Sequence, residues 1–165
     1  MIEPGPSGIT SAAPVLVFAL GNPSRGDDAL GPELAARLEA AALPGVEVIV
    51  DFQLQVEHAL DLEGRRFVVF VDAALGTQAP CEIRQVMPAR DASHTSHALS
   101  PAAVLETFER VTGRAAPEAR VLAVSGESFE LGAPLSPNAR ANLESAWRTL
   151  KELLCAATVD VASLS

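Results

Sequence analysis

The chain has 165 residues, 48% of them apolar, enough to bury one sizeable core and too few to argue for two. Its 21 acidic and 12 basic side chains give a formal charge of -9, which repels phosphate backbones and anionic lipid, so neither nucleic acid nor a membrane surface is expected as a partner. Cys81 and Cys155 lie far apart without metal-type spacing, and reduced thiols in a cytoplasmic protein are expected rather than a disulfide framework or a zinc module. Neither a secretory signal nor a span of the ~20 apolar residues that a membrane requires is expected.

Residues 1–13 carry Gly, Pro and Ser without periodicity and read as a disordered tail. Val15 to Leu20 is a β-branched and aliphatic block suited to a strand buried on both faces, and Gly21-Asn22-Pro23 breaks it. Leu30, Leu34 and Leu38 then recur at helical spacing, with Glu33 and Arg37 as an outward i,i+4 pair, until Leu43-Pro44-Gly45 ends the pattern. A second strand over 46–50 stops at Asp51, and 52–62 (FQLQVEHALDL) predicts a short helix with Val56, Ala59 and Leu60 on one face. The run FVVFV at 67–71 reads as a central strand that ends in Asp72. Only eight residues separate Asp72 from the next strand, over 81–87, too few for a crossover helix, so an antiparallel edge strand paired with the Asp72 strand is expected. A polar loop over 88–99 holds His94 and His97. Ser100-Pro101 then starts a helix with Val104, Phe108 and Val111 on one face. A fifth strand covers 120–124, and Ser136-Pro137 starts a last helix with a Leu143, Trp147, Leu150, Leu154 stripe. Residues 14–155 are thus expected to form one domain, and 156–165 a frayed tail. This order predicts a three-layer α/β/α sandwich around a mostly parallel five-stranded sheet.

Ligands in such sheets bind at the carboxyl ends of parallel strands, where Asp27, Asp28 and Asp72 fall. Adjacent acids before a helix also serve as caps, and an Asp after a strand serves as a turn former, so those readings stand beside a ligand-binding one. A histidine from the 88–99 loop, His94 or His97, joins the same edge if that loop folds back over the sheet. Two carboxylates and an imidazole from three loops leave open positions on a first-row metal, and mixed N/O ligation suits nickel or zinc better than calcium. GNPSRGDD has neither dinucleotide-fingerprint nor P-loop spacing. VSGES around Ser125 lacks the nucleophile-elbow pattern, which leaves a serine hydrolase built on Ser125, His97 and Asp72 as a weaker reading.

Four segments together, GNPSRGDDALGPELA, DFQLQVEHALDL, VVFVDAAL and SHTSHALSPAAVL, resemble the hydrogenase maturation endopeptidases over roughly residues 15–154. That resemblance implies the α/β/α fold and an acid-acid-histidine site, carried over by motif to Asp28, Asp72 and His97 as catalytic and metal-contacting residues. Asp28 stands where many members have Glu, and Ala29 where many have Gly. The implied activity removes a short C-terminal extension from a nickel-iron hydrogenase large-subunit precursor after nickel insertion. Nickel then arrives with the precursor, no permanent cofactor is expected, and the enzyme is expected to be a monomer when free. Asp27, Gln53, Gln55 and Glu57 are candidates for lining the substrate groove. The alternative is a nickel-sensing assembly factor that binds the same precursor without cutting it.

Overall fold

The computed structural model describes residues 12–92 and 98–164. Five strands, β1 (Val15–Leu20), β2 (Val46–Asp51), β3 (Phe67–Ala74), β4 (Cys81–Val86) and β5 (Glu118–Ser125), form one sheet in the order β2-β1-β3-β5-β4. β1 pairs in parallel with β2 and β3, β3 pairs in parallel with β5, and β4 runs antiparallel to β5 at the edge.

Alternation along the strands divides the core in two. Val15, Val17, Val69, Val71, Leu122 and Val124 face α1 (Leu30–Ala41) and α3 (Pro137–Ser163). Leu16, Phe18, Leu20, Val68 and Phe70 face α2 (Pro101–Thr112) and a 3-10 helix over Val56–Leu62. Because both faces are covered, β1 must be apolar at every position, and all six of its residues are buried. Each fully buried Leu, Val or Phe contributes about 1.5–3 kcal/mol relative to exposure, so the sheet's centre supplies much of the stability.

The three-layer fold matches the sequence expectation, and five local expectations are corrected. β4 does not pair with β3: β5 lies between them, with Ser125 N–H donating to Pro80 O and Gly126 N–H to Ala74 O. The 75–80 connection therefore spans one strand position, and β4 finds its partner in a segment that follows it in the chain. The 156–165 segment does not fray at its start, since α3 continues to Ser163 and buries Ala157 against the core. The 52–62 segment is 3-10 rather than α, which turns Val56 and Leu60 outward and buries His58, Ala59 and Leu62. Val111 is likewise exposed at the end of α2. Arg37 reaches across to Glu144 of α3 instead of pairing along its own helix with Glu33. The tail expected over 1–13 lies outside the described residues as far as residue 11.

α1 is seated directly on the end of β1. A Cβ at Gly31 would lie 2.2 Å from the Leu20 carbonyl oxygen, a backbone atom that cannot move aside. Gly31→Ala is therefore expected to destabilise the protein by about 1–3 kcal/mol through overpacking, read as a lower midpoint in urea unfolding.

Candidate active site

The two adjacent acids of the first loop have opposite fates. Asp27 is fully buried, and its carboxylate accepts from the backbone N–H groups of Glu127 (2.9 Å), Ser128 (3.2 Å) and Ser136 (2.8 Å) and from the Ser136 hydroxyl (2.8 Å). Burial pushes its pKa up, but these four donors outweigh burial and hold the carboxyl below its ordinary value. Asp27 is therefore a structural tie, and its expected place in a substrate groove is corrected. Neither acid caps α1 or the 3-10 helix Gly26–Ala29 through its side chain.

Asp28 stays half-buried at the surface, with Oδ2 accepting the Asn22 N–H at 2.7 Å. Gly21, at φ 138°, makes this possible: a Cβ there would lie 2.0 Å from the Asp28 carbonyl oxygen and 3.2 Å from its Oδ1. The turn thus closes down on the end of β1, and only glycine leaves room for it.

Asp72 sits inside β3 rather than at its end, two residues before Ala74. Burial and then the nearby Asp28 charge push its pKa up to about 7, against a smaller opposing pull from the Ala73 N–H. Asp28 and Asp72 thus lie within electrostatic reach of each other. Among the described residues no ion pair engages Asp72, and no group of three or more His, Cys, Asp and Glu side chains is gathered as a metal site. His94 and His97 lie outside the described residues. Their described flanks are anchored: Ser100 donates its N–H (3.0 Å) and its hydroxyl to Asp91, and Leu99 N–H donates to Leu54 O at 3.0 Å.

Asp72 lies in a cleft of about 460 Å³ on the α2 side of the sheet, walled mainly by Phe52, Leu54, Phe70, Val121, Leu99 and Ser100. Gln53 lines this cleft. Gln55 does not: it is the N-cap of the 3-10 helix, its backbone N–H donating to the His58 ring and its carbonyl accepting the His58 N–H. Glu57 borders a separate apolar groove against Phe108 and Val111. His58 is a packed residue, its Nδ1 accepting the Gln55 N–H (2.8 Å), its Nε2 3.2 Å from Asp51 and its ring edge-on to Phe18. The acceptor role of Nδ1 assigns the proton to Nε2. Ser125 lines a different cavity, with Gly126, Glu127 and Asn138, which removes the geometric basis for a serine hydrolase. Two cleft residues, Phe52 and Arg84, had no sequence signal, because an exposed aromatic after β2 and an arginine on an edge strand are common in any fold.

No protein-family model and no curated protein sequence matches the chain. Solved structures do. The hydrogenase maturating endopeptidase HybD from E. coli superposes with a TM-score of 0.69 at 24% identity, over 87% of this chain and 93% of its own. The chain has the fold of the hydrogenase maturation endopeptidases. The [NiFe] hydrogenase maturation protease HycI from Thermococcus kodakarensis KOD1 matches with a TM-score of 0.65 at 22% identity over 88% of this chain and 94% of its own. An endopeptidase from Escherichia coli matches with 0.63 at 25% identity over 82% and 88%. No described helix of this endopeptidase-like chain is long and apolar enough to cross a membrane.

Two consequences of this geometry are measurable. Asp27→Ala removes the acceptor of four hydrogen bonds and is expected to cost about 3 kcal/mol in urea unfolding, whereas Asp28→Asn changes stability by less than about 1 kcal/mol. Carbon-detected NMR titration is expected to place Asp72 near pH 7 in the native chain, and lower in Asp28→Asn, though still above an ordinary Asp because burial is the larger cause. The folded state holds the Asp72 proton more tightly than the unfolded state, so this group costs stability as pH rises from about 4 to 7. Asp72→Asn is therefore expected to stabilise the protein at pH 8 and not at pH 3.5.

Proposed function

We propose that this chain is the endopeptidase that removes the C-terminal extension of a nickel-iron hydrogenase large-subunit precursor once nickel has been inserted. The observation that carries the reading is the nearness of Asp28, in the loop after β1, to Asp72 of β3, which lines a cleft of about 460 Å³, within the fold of maturation endopeptidases. Two carboxylates pressed together with partial burial repel each other, and a divalent cation relieves that repulsion. Such a pair favours a substrate that brings its own metal. Nickel bound to the precursor is the cation in this reading, with Asp28, Asp72 and His97 as its contacts and no resident cofactor.

The resemblance supplies His97, and connectivity supports it, since Ala98, the next residue, lines the cleft. Asp72, poised near neutrality, is suited to take a proton from water attacking the peptide bond. The negative chain works in the cytoplasm as a monomer that meets its precursor transiently.

Incubation with nickel-loaded and nickel-free precursor, followed by mass measurement at the precursor's C-terminal end, tests the reading. Cleavage is expected only of the nickel-loaded form, and Asp28→Ala, Asp72→Ala and His97→Ala are each expected to abolish it, whereas Ser125→Ala leaves it intact. Binding of the loaded precursor without loss of its extension overturns the protease reading in favour of an assembly factor.

A further inference from the structure

The cleft that holds Asp72 also holds a cation. Arg84 lies on β4 opposite Val121 of β5, and both line the cleft, whose exposed surface is otherwise mostly apolar. Among the described residues the Arg84 side chain makes no hydrogen bond and no ion pair; Arg25, Arg66, Arg140 and Arg148 also lack an ion pair, but none of these lines the Asp72 cleft. Glu82 accepts the Gln78 N–H, Asp91 is taken by Ser100, and Asp72 is not within ion-pair distance. Arg84 is thus a cation that lines the Asp72 cleft without a carboxylate partner.

We infer that Arg84 is a carboxylate-binding subsite of the cleft, which fixes the peptide by a carboxylate lying a few residues from the bond that is cut. This deepens the endopeptidase reading and rests on it. Spacing follows from the register. Asp72 pairs with Ala123, Ala123 with Glu82, and Arg84 is two residues further along β4. Two inter-strand steps of about 4.8 Å and two residues of about 3.4 Å put the two Cα atoms roughly 12 Å apart. That is about three to four residues of extended peptide. Arg84 is exposed at the rim of the cleft, and its planar guanidinium offers a bidentate fork that matches a carboxylate. The carboxylate belongs either to an Asp or Glu side chain of the extension or to the extension's own C-terminus.

The test uses synthetic peptides spanning the junction and extension of the precursor in three forms: unmodified, with Asp and Glu changed to Asn and Gln, and with the terminal carboxylate amidated. Affinity for the full chain and for Arg84→Gln is measured by calorimetry. One of the neutralised peptides is expected to bind the native chain about tenfold more weakly than the unmodified one, and which one it is names the source of the carboxylate. Arg84→Gln is expected to bind all three alike, and Arg84→Lys to recover part of the discrimination. Equal affinity of the native chain for all three peptides, or undiminished discrimination by Arg84→Gln, overturns the inference. Cleavage of nickel-loaded precursor by the native chain, assayed alongside, separates the two readings. Cleavage without discrimination sinks the Arg84 subsite alone, and discrimination without cleavage leaves it standing as a peptide-binding site while the protease reading falls.

Discussion

The carboxylate of Asp27 holds the candidate site together. It belongs to the loop after β1, yet all four of its donors lie more than a hundred residues away or at that distance, in the segment that joins β5 to α3. Further bonds lock the same two segments: Asp27 N–H donates to Ser128 O at 2.7 Å, Gly26 N–H to Ala133 O at 3.1 Å and Gly132 N–H to Ser24 O at 2.7 Å. A buried charge without partners would cost several kcal/mol, so the two loops must be docked whenever the chain is folded. Since adjacent side chains diverge, fixing Asp27 inward leaves Asp28 to face the other way. The buried acid thus positions the half-buried one.

Ser136 extends that tie into a helix. Its hydroxyl donates to Asp27 and accepts the Ala139 N–H as the N-cap of α3. The same device recurs at α2, where the Ser100 hydroxyl donates to Asp91 and accepts the Ala103 N–H. In both cases an Asp outside the helix orients the capping hydroxyl, and its negative charge complements the helix's positive end. One pair braces the loop of Asp28, and the other brackets the segment that contains His94 and His97. The described flanks of the candidate site, the loop of Asp28 and the Asp91–Ser100 pair, are thus each tied to a helix start.

Much of the fold is legible in the sequence because its signals are local. Unbroken apolar runs mark β1 and β3, Ser-Pro pairs mark the starts of α2 and α3, and the acids after those runs fall near the sheet's carboxyl edge. What escapes is non-local. β4 and β5 are separated by α2, so no pattern within β4 states that β5 will slip between it and β3. Nothing around Asp27 points to Ser136, so capping and catalysis are equally open to both acids until the two loops are seen docked. The exposed faces of the 3-10 helix mislead for another reason. Three residues per turn, rather than 3.6, rotate Val56 and Leu60 off the face that a helical wheel assigns them.

The electrostatic layout of the cleft follows from the same topology. β1 and β3 are neighbours at the sheet's centre, so the loop after β1 brings Asp28 near Asp72 of β3, and the burial that covers the central strands raises the cost of charging Asp72. β4 sits at the edge, two positions from β3, where a long side chain keeps its charged head in water while its stem covers apolar surface. Arg84 is therefore free to stay charged at the one margin of the cleft where charge is cheap to hold. Had β4 paired directly with β3, as its short connection suggests, Arg84 would lie close enough to Asp72 to neutralise it. Inserting β5 between them separates the two charges and preserves both an acid pair that repels itself and a cation that lacks a partner. In the proposed function, a substrate with a metal and a carboxylate answers both.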